Sequence, residues 1–273
     1  MTTPFLRWAG GKNWLTTYLK QLIKNLNYNN YHEPFVGGGA IFFSLDPQHN
    51  GHNTFLYDMN TELIVAYQTL QNKPLKVIHK LQKYKNSADE YYSIREKESK
   101  GSITQTARFI YLNQTSYNGL YRVNKSGKYN VPYGYRKNVI FNEENLLSAS
   151  RALQGTHIFN GDFTESLRYI GENDLIFLDP PYTVSHNQNG FIEYNKNLFS
   201  LNDQYRLNDY INEIKNRRAF YILTNAAHKT IRDIFRKEED RLIIVERNSL
   251  IGGKNAKRTK IQEYLFTNIP EGV

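Results

Sequence analysis

The chain has 273 residues, 40% of them hydrophobic and 22% charged, with a net charge of +9 and no cysteine. Such a chain can bury a core and is no disordered tail, and without cysteine it has no disulfide scaffold, thiolate zinc site or cysteine nucleophile. The longest apolar runs, such as Leu175–Leu178, fall far short of the about 20 residues that span a bilayer, and the scattered basic residues near the start are not a secretory signal.

Asn13–Leu26 carries apolar positions at helical spacing. Tyr31–Phe43 reads as a strand, a turn at Gly37-Gly38-Gly39 and a helix start, and Asn53–Asp58 as a strand that ends in a carboxylate. Four helical stretches follow, Thr61–Leu70, Pro74–Tyr84, Glu90–Glu98 and Thr104–Leu112, and then Tyr117–Lys137, a long loop or hairpin rich in Gly, Asn, Tyr and basic residues. Strands return at His157–Asn160 and Asp174–Asp179; the second is stopped by Pro180-Pro181, which cannot continue a ladder. Ala219–Thr224, Arg241–Arg247 and Ile261–Thr267 read as further strands, with helices over Leu201–Arg217 and His228–Lys237. The alternation predicts an α/β domain with a mostly parallel sheet, made from residues 1–58 and 159–273. Residues 59–158 form a mainly helical module inserted into it.

The charge is unevenly spread. Residues 59–158 hold fifteen Lys/Arg against seven Asp/Glu, a net +8, whereas residues 1–58 are +1 and residues 159–273 are neutral. The excess in the middle reads either as a footprint for a polyanion or as a lysine-biased solvated surface. A second basic cluster, Arg247 with Lys254, Lys257, Arg258 and Lys260, flanks Gly252-Gly253, as a mobile loop beside that polyanion or as a solvated hairpin.

Two motifs carry chemistry. Glycines let a backbone approach a ligand closely and also make ordinary tight turns. Asp58 lies 19 residues after Gly39, at the end of the next strand, where an acid in doubly wound folds takes the ribose hydroxyls of a nucleoside cofactor. The spacing is neither G-x-G-x-x-G nor a P-loop, which argues against nicotinamide and ATP. The second motif is Asp179-Pro180-Pro181-Tyr182, at the carboxyl end of an apolar strand, where open α/β sheets place ligands. It suits transfer to an exocyclic amine: the carboxylate accepts from the nitrogen, the prolines direct a carbonyl at its second hydrogen, and the tyrosine offers a face to a planar base. The pairs Glu143-Glu144 and Glu238-Glu239 read as solvated faces, and the seven dispersed histidines suggest no metal site.

These motifs, with Phe5-Leu-Arg-Trp8-Ala-Gly-Gly-Lys12 and the stretches Tyr117–Asn124 and Gly127–Gly134, resemble those of the Dam-type DNA adenine-N6 methyltransferases over residues 4–267. They stand in that family's order, with the cofactor loop first, the recognition module next and Asp-Pro-Pro-Tyr last. The resemblance implies a Rossmann-like S-adenosylmethionine-dependent methyltransferase sheet with an inserted DNA-recognition domain. It also implies methyl transfer to N6 of an adenine flipped out of duplex DNA, in GATC or a related GAT-containing site. RNA or a protein glutamine is the alternative acceptor. Trp8, Ala9, Gly10 and Lys12 would line the S-adenosyl-L-methionine site, over a floor of Phe35, Gly37 and Gly39. Asp58 would bind the ribose, Asp162 the adenine amine and Phe163 its surroundings. Asp179 would hold the target amine with the Pro180 carbonyl, Pro181 would fix the turn, and Tyr182 would stack on the target. Arg7, Tyr117, Asn118, Leu120, Arg122, Asn124, Pro132, Tyr135, Arg136 and Lys137 would face DNA, with Arg122 reading guanine and Lys125, Lys128, Arg136 and Lys137 on phosphates. The resemblance further implies a cytoplasmic monomer, bacterial or phage-encoded, that needs no metal.

One departure stands out. GATC-methylating members commonly have Pro-aromatic-Gly-Arg-Tyr-Lys where this chain has Pro132-Tyr-Gly-Tyr135-Arg136-Lys137. In an extended stretch the exchange would send Arg136 to the face the tyrosine normally takes, unless the loop is irregular.

Overall fold

The computed structural model describes residues 2–124, 126–136, 141–183, 199–248 and 260–272. The chain forms two compact units, Met1–Tyr18 with Val36–Asp162, and Leu19–Phe35 with Phe163–Val273. The expected insertion, residues 59–158, lies wholly within the first. Among the described residues there are seven strands, mostly parallel, with helices between them, the α/β arrangement of a Rossmann-like sheet.

In the second unit the run Leu-Ile-Phe-Leu becomes β4 (Leu175–Leu178), buried at all four positions, as expected of a strand covered on both faces. It pairs in parallel with β1 (Tyr31–Glu33) on one side and β5 (Phe220–Ala226) on the other. Antiparallel β7 (Lys260–Thr267) and β6 (Arg241–Asn248) complete the order β1-β4-β5-β7-β6. One core packs Ile176, Leu178, Tyr221, Leu223 and Phe266 with Leu207, Ile211 and Ile214 of the helix at Leu201–Asn216. That helix starts on a capping box, in which Ser200 accepts from the Asp203 N–H and Asp203 accepts from the Ser200 N–H. The following helix, Lys229–Phe235, is capped by His228, whose Nδ1 accepts from the Thr230 N–H at 3.2 Å.

In the first unit β2 (Thr54–Asp58) and β3 (His157–Asn160) pair in parallel, with Asp58 opposite Asn160. The helical stretches appear as α3 (Thr61–Asn72), α4 (Pro74–Leu81), α5 (Ala88–Glu96) and α6 (Ser102–Thr115), after α1 (Thr16–Leu22) and α2 (Ala40–Leu45). Asn60 caps α3 by accepting from the Leu63 N–H at 3.1 Å, and Pro74 opens α4, where its missing N–H costs nothing. A further helix, α7 (Glu143–Leu153), carries the pair Glu143-Glu144 in its first turn. The expected helix over Asn13–Leu26 is shorter: a 3-10 turn at Asn13–Leu15 precedes α1, which stops at Leu22. No helix among the described residues is long and apolar enough to cross a membrane.

Asp174, just before β4, is the hydrogen-bonding hub of the second unit. Its Oδ1 accepts from the Asn30 N–H at 3.0 Å and from Asn30 Nδ2 at 2.8 Å; its Oδ2 accepts from the Gly171 N–H at 2.8 Å and from His32 Nε2 at 2.9 Å. Burial of His32 lowers its pKa, and the bond to Asp174 only partly opposes this. A histidine in an unfolded chain titrates near 6.5. Below that pH the unfolded chain takes up a proton that the fold resists, so stability is full above about 6.5 and falls as the pH drops through it. Urea unfolding at about pH 7.5 and about pH 5.5 is expected to show this loss, and His32→Asn to make it smaller.

Candidate active site

The glycine turn of the first unit is held from below by Asp58. Its Oδ2 accepts from the Gly37 N–H at 3.0 Å and its Oδ1 from the Asn60 N–H at 2.9 Å. Burial raises the Asp58 carboxyl, while these two N–H groups pull it back down. The same strand end receives β3: Asn160 Nδ2 donates to the Asp58 carbonyl at 2.9 Å, and so does the Gly161 N–H at 3.2 Å. Gly37, Asp58 and the start of the Gly161-Asp162 turn are thus brought together. Gly39 takes φ 70°, and a Cβ there would lie 2.6 Å from the Tyr67 hydroxyl, which donates to the Gly37 carbonyl at 3.1 Å.

Trp8 covers this turn. A Cβ at Gly37 would come within 3.0 Å of its Nε1, and one at Gly38 within 2.7 Å of its Cβ. The indole also stacks on Tyr121, with centroids 5.6 Å apart. Ala9 and Gly10 are exposed. Lys12 is buried, and its Nζ donates to the Gly10 carbonyl at 3.1 Å.

The second unit carries the Asp-Pro-Pro-Tyr turn after β4. Its Asp and Tyr side chains are both anchored. The Thr224 hydroxyl on β5 donates to Asp179 Oδ1 at 2.8 Å. The Tyr182 hydroxyl donates to Glu263 Oε2 on β7 at 2.6 Å, and Arg247 Nε on β6 donates to Glu263 Oε1. Burial, followed by the charges of Asp179 and Glu263, holds the Tyr182 phenol protonated, well above its ordinary value. The next residue, Thr183, donates to the Phe199 carbonyl at 2.9 Å and accepts from Gln204 Nε2 at 2.9 Å. Phe35 and Phe163 also meet in this unit, stacked at 5.2 Å, with the Arg206 guanidinium 5.1 Å from the Phe163 centroid.

Apart from Arg7, and among the described residues, those expected to face DNA lie on a hairpin-like loop of the first unit. The Tyr117 N–H donates to the Pro132 carbonyl at 2.9 Å, and Val123 bridges Tyr129. Tyr117, Asn118, Arg122, Asn124, Lys128, Pro132, Tyr135 and Arg136 are exposed, and Leu120 is half-buried. Arg122 Nε donates to Asn130 Oδ1 at 2.8 Å, so the guanidinium is held within the loop. Tyr135 takes φ 51°, which breaks the alternation assumed for an extended stretch; the loop is irregular there. Arg136 donates from its guanidinium to the Gln114 carbonyl at 3.4 Å. Burial lowers the pKa of Arg7, and the nearby charge of Arg136 lowers it further. Arg7, Trp8, Asn13 and Asn118 line a cleft of about 350 Å³. Lys125 and Lys137, with Gly252, Gly253, Lys254, Lys257 and Arg258 of the second basic cluster, lie outside the described residues. Among the described residues no cluster of three or more His, Asp or Glu could hold a metal ion.

Comparison with known proteins adds a family. A model described as D12 class N6 adenine-specific DNA methyltransferase matches residues 8–250. The chain is 33% identical over 276 residues to the type II methyltransferase M1.LlaDCHI of Lactococcus lactis subsp. cremoris, covering 97% of this chain and 95% of that one. It is 37% identical to the type II methyltransferase M.MjaIII of Methanocaldococcus jannaschii, over 82% of this chain and 84% of the other. It is 30% identical to a DNA adenine methylase of Vibrio cholerae, over 97% and 96%.

Asn113 was not singled out from the sequence, yet it joins the N-terminal segment to the loop that begins at Tyr117. Its Oδ1 accepts from the Arg7 N–H at 2.7 Å, and its Nδ2 donates to the Arg7 carbonyl at 2.7 Å and the Gly119 carbonyl at 3.2 Å. Asn113→Ala leaves these backbone groups without that partner. We expect it to cost about 1–3 kcal/mol in denaturant unfolding and to weaken duplex binding in a titration at fixed salt.

Proposed function

The chain belongs to the D12 class of N6 adenine-specific DNA methyltransferases, and on that premise we propose that it methylates N6 of an adenine flipped out of duplex DNA, centred on GATC, with S-adenosylmethionine as donor. The observation that carries this reading is the double anchoring of the Asp-Pro-Pro-Tyr turn, with Asp179 held by Thr224 and Tyr182 held by Glu263. A carboxylate and an aromatic ring fixed on one rigid turn suit a planar amine. Asp179 and the Pro180 carbonyl accept from the two hydrogens of that amine and turn its lone pair out of the ring. Pro181 keeps the turn rigid, and the Tyr182 face stacks on the base. Extruding the base costs a few kcal/mol of unstacking, and Tyr117, Asn118 and Leu120 fill the space it leaves.

The donor site is assigned to the first unit. When bound, S-adenosylmethionine supplies a methyl group already activated on a sulfonium. Gly37 and Gly39 take φ 48° and 70°, a sharp turn that suits the close approach of a nucleoside to the backbone. Asp58 has two oxygens, each with a lone pair beyond those given to Gly37 and Asn60, for the ribose hydroxyls. Trp8, Ala9, Gly10 and Lys12 are assigned to the methionine end, with Asp162 at the adenine amine. No proton needs to leave before attack, so the protein contributes mainly orientation and electrostatics.

Residues 59–158 are proposed as the recognition module. Their net +8 and the exposed Arg122, Lys128 and Arg136 favour duplex DNA over a protein acceptor. Tyr117, Asn118, Leu120, Asn124, Pro132 and Tyr135 contact or wedge the DNA, and Arg7 and Lys137 add positive charge beside it. We assign the working form as a cytoplasmic monomer.

Asp179→Ala is expected to abolish labelled methyl transfer while cofactor and DNA binding persist; transfer within about tenfold of the unsubstituted enzyme would overturn the catalytic role. Asp58→Ala should weaken cofactor binding in calorimetry instead, and an unchanged dissociation constant would remove the ribose role. Methylation rates on duplexes substituted at single base pairs test the site itself. Arg122→Ala should degrade discrimination at an inner guanine by about 1–3 kcal/mol, and Arg136→Ala discrimination at one outer base pair. Uniform loss across the set would make Arg136 a phosphate contact, and equal rates with and without GATC would point to a different GAT-containing site.

A further inference from the structure

We infer that Thr224 is a positioning residue for the transfer reaction, its hydroxyl setting the plane of the Asp179 carboxylate. The inference rests on the reading of Asp179 as the group that holds the target amine. A carboxylate rotates about a broad, roughly two-fold torsion, so an aspartate alone does not choose which way its oxygens face. Something outside it must, and to accept from an amine in one geometry the oxygens must be presented in one plane.

Thr224 meets that need. It lies on β5, whose neighbour β4 runs in parallel with it and pairs Leu178 with Leu223, so residue 224 and residue 179 leave the paired region together. Thr224 is fully buried. A hydroxyl there must find an acceptor, because leaving it unmet costs free energy. Two acceptors are in reach, the Asp179 Oδ1 at 2.8 Å and the Leu178 carbonyl at 3.4 Å. The shorter, charge-assisted bond to the carboxylate dominates. One side chain on a rigid strand therefore holds the carboxylate of the turn. Valine has nearly the same shape and an equal preference for strands, so the packing of this position alone would not call for a hydroxyl.

The hydroxyl and the methyl of Thr224 can be separated by substitution. Thr224→Val keeps the shape and removes the donor; Thr224→Ser keeps the donor and removes the methyl. In steady-state methylation of a duplex we expect Thr224→Val to lower kcat by about tenfold to a hundredfold, the scale of a misplaced reacting group. Cofactor and duplex dissociation constants should stay within about twofold, and Thr224→Ser should restore kcat to within about threefold. A valine variant with unchanged kcat, or a serine variant as slow as valine, would overturn the inference, the latter by showing that the methyl is what counts. If the valine variant does not fold, judged by its unfolding transition, Thr224→Ala with Thr224→Ser makes the same comparison, a slow alanine variant supporting the inference and a fast one overturning it. Failure of the underlying reading looks different, because Asp179→Ala itself would then continue to transfer methyl groups.

Discussion

The contact on which the first unit depends is the one between a carboxylate and a glycine N–H, Asp58 Oδ2 to Gly37 at 3.0 Å. A chain that leaves a strand and turns at once into a helix carries backbone N–H groups that no strand neighbour can satisfy. Asp58, at the end of β2, takes one of them and with its other oxygen takes the Asn60 N–H that opens α3. A single side chain thereby ties the glycine turn to the start of the helical segment. Its burial works against its own ionisation, and the two N–H donors oppose that penalty. The position of the turn and the entry into α3 both follow from this junction.

Much of the fold was legible because it is written in local patterns. His157–Asn160 appears as a strand with the limits its pattern suggests, and the Leu-Ile-Phe-Leu run stopped by two prolines is buried at each position. The inaccurate boundaries have local causes too. Asn13–Leu26 keeps helical spacing past the point where the backbone tightens into a turn, with the Leu26 N–H donating to the Ile23 carbonyl at 3.0 Å. The helix α7 could have been found from Asn142, which caps it by accepting from the Asn145 N–H at 2.9 Å, and from Leu146, Ala149 and Leu153 on one face.

The supporting residues of the candidate site were illegible for another reason. Thr224 and Asp179 are 45 residues apart, Tyr182 and Glu263 81 apart, and Asn113 and Arg7 106 apart. No spacing rule connects such pairs; only the fold brings them together, and each is an ordinary residue for its strand or helix. The motif residues stand out in a sequence because their neighbours are unusual, whereas the residues that hold them do not. The left-handed Tyr135 belongs to the same group, since a tyrosine at φ 51° follows no local preference and depends on the loop around it.

The packing of Trp8 onto the glycine turn couples positions that a reader would treat separately. A Cβ at Gly38 would lie 2.7 Å from the Cβ of Trp8, and the contact is with the root of the side chain, which no rotation about χ1 can move. Gly38 is therefore small on account of the course of the chain at residue 8, whatever a ligand requires. Where the N-terminal segment holds its course, a larger residue at 38 needs the backbone at residue 8 to withdraw, and trimming the indole alone does not release it. The two positions form one steric unit, in which the glycine records the path of a segment thirty residues earlier in the chain.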